Sequence, residues 1–179
     1  MAHSENLPNG IEVQSVVKGD PGNGLPKFVR EAASERGYGD SSYPWTMYVH
    51  PDDIDAAFRE KAHGNGNSCV MAQAGRRLGA QTVYFYRTTA WVDFGSGPIV
   101  RYFIPDATYR NVIDPFDKND RKSVLPGMYP LTPPSGSHSL TNTAKKNRKR
   151  GSARGSRGLI KNPKRQHSDR VILAPKVGI

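Results

Sequence analysis

Five of the six residues from Lys145 to Arg150 are lysine or arginine, and this run limits where a folded body can end. Charges that dense repel one another, and they leave too little apolar surface to offset the entropy of ordering the chain. The cations continue through Arg154, Arg157, Lys161, Lys164, Arg165 and Arg170, set among glycine and serine. Residues 140–179 hold 12 Lys/Arg against the single Asp169, a net of +11. Residues 1–139 hold 14 Lys/Arg and 15 Asp/Glu, a net of −1, so the chain's +10 belongs to its C-terminal part. A near-neutral body followed by a disordered basic tail, residues 133–179, is the expected organisation.

Ahead of that tail, hydrophobic periodicity predicts an α+β fold. Residues 1–42 read as a loosely ordered N-terminal segment rich in Gly, Pro and Asn. It holds an alternating strand-like piece, Ile11 to Val17, then a helix from Pro26 to Arg36 stopped by Gly37, with Gly37 to Ser42 as loop. A core domain is expected over residues 43–132. Within it, Pro51-Asp52-Asp53 opens a helix: proline suits a first-turn position, and carboxylates suit the positive end of the helix dipole. A second helix runs from Cys69 to Leu78, capped by Asn67 or Ser68 and closed by Gly79. The two helices, joined by Gly64-Asn65-Gly66, form an αα-hairpin.

The period then changes to two. Thr82 to Arg87, Thr89 to Phe94 and Ile99 to Ile104 are β-branched and aromatic, separated by turn residues, and read as an antiparallel β-meander. A further helix starts at Pro105-Asp106, with Tyr109, Val112, Ile113 and Phe116 on one face. Pro115 should distort or end its last turn. Met128 to Leu131 is a short possible strand.

Pro51-Asp52-Asp53-Ile54, the small-residue helix Cys69 to Arg77, Val100-Arg101-Tyr102 with Pro105, and Phe116-Asp117 together carry a resemblance. Residues 48–117 resemble a family of short uncharacterised proteins of phages and related mobile elements. The resemblance implies a viral or mobile-element setting and no activity; the basic tail lies outside it.

The tail points to an anionic polymer. Lys145, Lys146, Arg148, Lys149, Arg150, Arg154, Arg157, Lys161, Lys164 and Arg165 are the candidate nucleic-acid-binding residues. Cations that meet phosphates release counterions, giving strong, salt-sensitive, sequence-independent contact to DNA or RNA. No aromatic interrupts the run, so the tail offers no base stacking. The expected function is that of a non-specific nucleic-acid-binding accessory protein. Alternatives are a virion-associated structural protein that neutralises packaged genome, alone or as a homo-oligomer, a solubilising tail without a fixed partner, and a nuclear-import signal in a eukaryotic host. Host cytoplasm or virion is the expected location, with the nucleus open for such a host. No cofactor and no membrane partner is expected. No apolar run approaches the ~20 residues a membrane helix needs, and residues 1–10 carry Glu5 without an apolar stretch, unlike a secretory signal.

Three constellations in the body offer chemistry. Cys69, the only cysteine, follows a Gly-rich loop at a predicted helix N-terminus, a setting that exposes and activates a thiol in Cys-dependent hydrolases. Its bases would be His50 or His63, both upstream; burial as a small apolar residue is the competing reading. Asp106 with Asp120-Arg121-Lys122 resembles the Pro-Asp…Asp-x-Lys layout of metal-dependent nucleases, across a helix instead of adjacent strands. Asp114, Asp117 and Asp120 miss the spacing of a calcium loop. Finally, Arg76, Arg77, Arg87 and Arg101 beside Tyr84, Tyr86 and Tyr102 would make a basic aromatic sheet face, or else surface arginines whose stems cover apolar groups.

Overall fold

The computed structural model describes residues 7, 11–22, 24–61, 63–135 and 139–140. Among the described residues seven strands and four longer helices follow in order: β1 Val13–Val17, α1 Lys27–Arg36, β2 Tyr38–Ser41, β3 Trp45–Val49, α2 Pro51–Arg59 and α3 Val70–Arg77. Then come β4 Thr82–Tyr86, β5 Thr89–Asp93, β6 Ile99–Phe103, α4 over residues 106–117, and β7 Gly127–Leu131. The fold is α+β, with the expected αα-hairpin in α2 and α3 and the expected antiparallel meander in β4–β5–β6.

The meander is part of a larger mixed sheet. Its order is β1-β2-β6-β5-β4, with β2 running parallel to β6 and antiparallel to β1. The loop reading of Gly37 to Ser42 is thereby corrected: Tyr38–Ser41 is a buried inner strand. Sequence periodicity missed it because Tyr-Gly-Asp-Ser lacks the β-branched residues that signal a strand. Gly39 is required there, since a Cβ would stand 2.3 Å from Val13 Cγ1 and 2.8 Å from the Gln14 carbonyl. The sheet therefore crosses the boundary expected near residue 43.

Strand alternation assigns the two faces. Val83, Phe85, Ala90, Val92, Val100 and Tyr102 point to the larger core, shared with α2, α3, α4 and the β3–β7 ribbon. Tyr38, Trp91 and Ile99 point the other way, into a smaller core under α1 with Val29 and Ala33. Arg36, in the last turn of α1, fastens that helix to Asp93 at the end of β5, and its Nη1 also donates to the Gly97 carbonyl at 3.3 Å. The β3–β7 ribbon joins the main sheet through reciprocal Phe103–Thr132 backbone bonds of 2.7 and 3.0 Å.

Two local features follow from single residues. Pro115 lacks the N–H an α-turn would use, and its ring would meet the Asn111 carbonyl, so the chain widens into a π-turn at Tyr109–Ile113. The distortion expected in the last turn thus lies one turn earlier, and the helix continues through Asp114–Asp117. In α3, Gly75 lets the helix lie close on the sheet: a Cβ there would stand 2.6 Å from Val83 Cγ2 and 3.0 Å from Met47 Cε.

Helix propensity favours Gly75→Ala by about 1 kcal/mol, whereas overpacking costs about 1–3 kcal/mol. The contact with buried, branched Val83 decides the sign. Gly75→Ala should lower the thermal midpoint; an unchanged or higher midpoint in a melting curve would refute the close approach.

Candidate nucleic-acid interface

The ten tail cations singled out from the sequence, Lys145 through Arg165, lie outside the described residues. What the structure does place is the point from which they depart. Leu140 packs against the smaller core, and its backbone N–H donates to Asp40 Oδ2 at 2.8 Å. Asp40 is 4% exposed, and its other oxygen accepts from Arg101 Nε at 2.7 Å.

Those residues belong to one row across the sheet. Register pairs Asp40 with Arg101, Arg101 with Trp91, and Trp91 with Tyr84. Because β-strand side chains alternate, all four lie on the α1 face. The Arg101 guanidinium stands 5.8 Å from the Trp91 ring centre, so its charge is shared between a carboxylate and an aromatic face.

Of the two readings of Arg76, Arg77, Arg87 and Arg101, the shared basic sheet face does not form. Arg76 donates to the Asn67 carbonyl and closes the loop ahead of α3. Arg77 pairs at 2.8 Å with Asp53, which is 5% exposed and also accepts the His50 N–H, joining the end of α3 to the start of α2. Arg101 is held by Asp40. Tyr102, next to Arg101 in sequence, faces the opposite way and is 1% exposed, with burial pushing its hydroxyl pKa upward.

Arg87 is different. It sits at the tip of the two-residue β4–β5 hairpin at φ +54°, with its guanidinium 5.2 Å from the Tyr86 ring centre. Tyr86 stacks on Tyr84 at 6.2 Å and 16°, and Phe28 of α1 meets Tyr84 edge-on at 6.1 Å. Both tyrosines are half-buried, and burial raises the Tyr84 pKa. Beside the hairpin tip opens a pocket of about 440 Å³, lined by Arg87, Thr88, Phe103, Ile104, Asp106 and Tyr109. Sequence reasoning missed Phe28, Phe103, Tyr109 and Asp40 as neighbours of this face. Strand alternation alone separates Arg101 from Tyr102, but nothing local brings α1 or Leu140 to the sheet.

Of the two readings of Cys69, burial as a small packing residue is the one the structure bears out, and the exposed, activated thiol is not. Cys69 is the residue before the first turn of α3 and is 3% exposed. Burial pushes its thiol pKa up to about 12, outweighing the Met71 and Ala72 amides that favour the thiolate; Asp117 adds to the rise. The His63 Nδ1 faces the Phe116 carbonyl at 2.9 Å, and its ring packs against Phe58 and Phe116. Sulfur serves here as a buried packing group, its thiol directed at the Gly66 carbonyl 3.8 Å away.

The acidic residues have structural uses. Asp106 opens α4, and Asp120 follows its end with its N–H on the Pro115 carbonyl, so the two are about 15 Å apart by helical rise, too far to share an ion. Asp106 pairs with Arg110, Asp114 with Lys118, Asp117 accepts the Gly64 N–H, and Asp120 caps the turn at Ser123. Among the described residues no group of three or more His, Cys, Asp or Glu is arranged to hold a metal, and no helix is long and apolar enough to cross a membrane. Comparison with protein-family models, curated proteins and solved structures found no match.

Below pH 9 the Cys69 thiol is neutral in both the folded and the unfolded chain. Above it the unfolded chain ionises first, so this group's contribution to stability is lost as pH rises toward 12. Between pH 9 and 10.5 that amounts to about 2 kcal/mol. Urea unfolding should therefore show the wild type losing this much more than Cys69→Ala; equal losses would mean the thiol is solvated.

Proposed function

We propose that this protein binds nucleic acid without sequence preference, through the phosphate contacts of its basic tail, as an accessory protein of a virus or mobile element. The observation that carries this reading is the segregation of charge: +11 on residues 140–179 against −1 on the 139 residues ahead. Charge complementarity within the body supports it, since Arg36, Arg77, Arg101 and Arg121 are each engaged by an aspartate. The tail has Asp169 alone to set against its 12 cations. A polyanion is the partner such an excess fits. The setting rests on the resemblance of residues 48–117 to short phage proteins.

The test compares the full chain with a truncation after Leu140, which keeps the residue docked on Asp40. If about 6–8 tail cations meet phosphates of duplex DNA, log K against log salt falls with a slope of roughly −5 to −7. The truncation should lose this binding. A slope near zero, or binding retained by the truncation, would sink the proposal.

One observation favours a second reading, a virion-associated assembly whose tails neutralise packaged genome. Tyr48 and Met128 are paired across β3 and β7, and both are exposed, 47% and 70%. Side-by-side exposed apolar residues are what contacting copies bury. Light scattering at rising concentration distinguishes the readings: a defined oligomer that Met128→Lys dissolves supports assembly, and a monomer throughout rejects it.

A further inference from the structure

We propose that the α1 face of the sheet, from Tyr84 and Tyr86 to the Arg87 tip, is a base-stacking site. It would make the protein a binder of single-stranded nucleic acid in particular. This rests on the tail reading above and adds the substrate class.

The tail supplies charge but no aromatic, so by itself it grips phosphates and is blind to bases. The body supplies what it lacks. Arg87, Tyr86 and Tyr84 form one stack, and Phe103 and Tyr109 line the pocket at the tip. Paired bases bury their faces in the duplex, whereas a single strand offers them to aromatic rings.

Geometry brings the two parts together. Leu140 is docked on Asp40, and Tyr84 lies three strands away along the same row, about 14 Å at the usual strand spacing. The first basic cluster starts at Lys145, and five residues of chain reach up to about 17 Å. The cluster can therefore hold a strand's phosphates while its bases lie on the tyrosines.

Arg87 is the exchangeable member. At the hairpin tip its guanidinium covers the outer face of Tyr86. A surface cation–π contact is worth about two- to fivefold in an equilibrium, whereas a base stacked on an aromatic ring is worth roughly 5- to 150-fold. A base therefore displaces the guanidinium from Tyr86, and the freed cation turns to the adjacent phosphate. The 440 Å³ pocket is large enough for one further base, with Asp106 on its rim as an acceptor for base N–H groups.

The experiment measures binding of the full chain, at one salt concentration, to fluorescein-labelled (dT)20, to an abasic strand of equal phosphate count, and to a 20-base-pair duplex. Wild type should bind (dT)20 at least about fivefold more tightly than the abasic strand. Tyr86→Ala should weaken (dT)20 binding by a similar factor and leave the duplex within twofold, while Tyr86→Phe keeps both. Equal affinity of wild type for (dT)20 and the abasic strand overturns the stacking site yet leaves the tail reading standing. So does a Tyr86→Ala loss that is the same for every ligand. Failure to bind any of the three removes the tail reading itself. The abasic arm needs no variant, so a Tyr86→Ala chain that folds poorly does not blunt the test.

Discussion

The ion pair between Asp40 and Arg101 holds together a pairing that local sequence cannot make, the parallel contact of β2 with β6. Parallel neighbours need a long crossover, and here everything from β3 to β5 lies inside it. The two side chains are 6% and 12% exposed, so either one alone would be a buried, uncompensated charge. Removing one partner of such a pair costs about 3–5 kcal/mol, a large share of the ~5–15 kcal/mol that stabilises a typical domain. Its value is not simply attraction, because a well-packed apolar pair is often as stable. It also fixes register: a slip by one residue would turn Asp40 into the larger apolar core.

Around that pair the two faces of the sheet divide the labour. One face meets α2, α3, α4 and the β3–β7 ribbon in a core dense enough that Gly75 has no room for a methyl group. Cys69 belongs to that dense side, which is why its thiol is held neutral instead of activated. The other face carries a single helix and a smaller cluster. It buries Trp91 but leaves Tyr84 and Tyr86 only partly covered, and it receives Leu140, the last described residue before the basic run. The side of the sheet with less packing is thus the side with surface left for a ligand.

Much of the architecture was legible locally. The αα-hairpin, the meander and the later helix follow from hydrophobic period, proline position and turn residues, all of which act within a few residues of chain. β2 was not legible, because its strand character comes from neighbours on both edges and from Gly39 admitting Val13, not from propensity. The arginines show the same divide. Their types suggested a basic face, but three of the four are consumed by Asp53, Asp40 and the Asn67 carbonyl, partners 9 to 61 residues away.

The sequence by itself determined the charge segregation and the aromatic composition of β4, since net charge and side-chain chemistry need no fold to be true. It also determined most elements, since helices and turns are closed by short-range bonds. Tertiary structure alone decided which cations remain exposed, that Cys69 is buried, and that Leu140 docks on the face bearing Tyr84 and Tyr86. Those outcomes depend on pairings between residues far apart in the chain, and only long-range packing brings such residues within hydrogen-bonding distance.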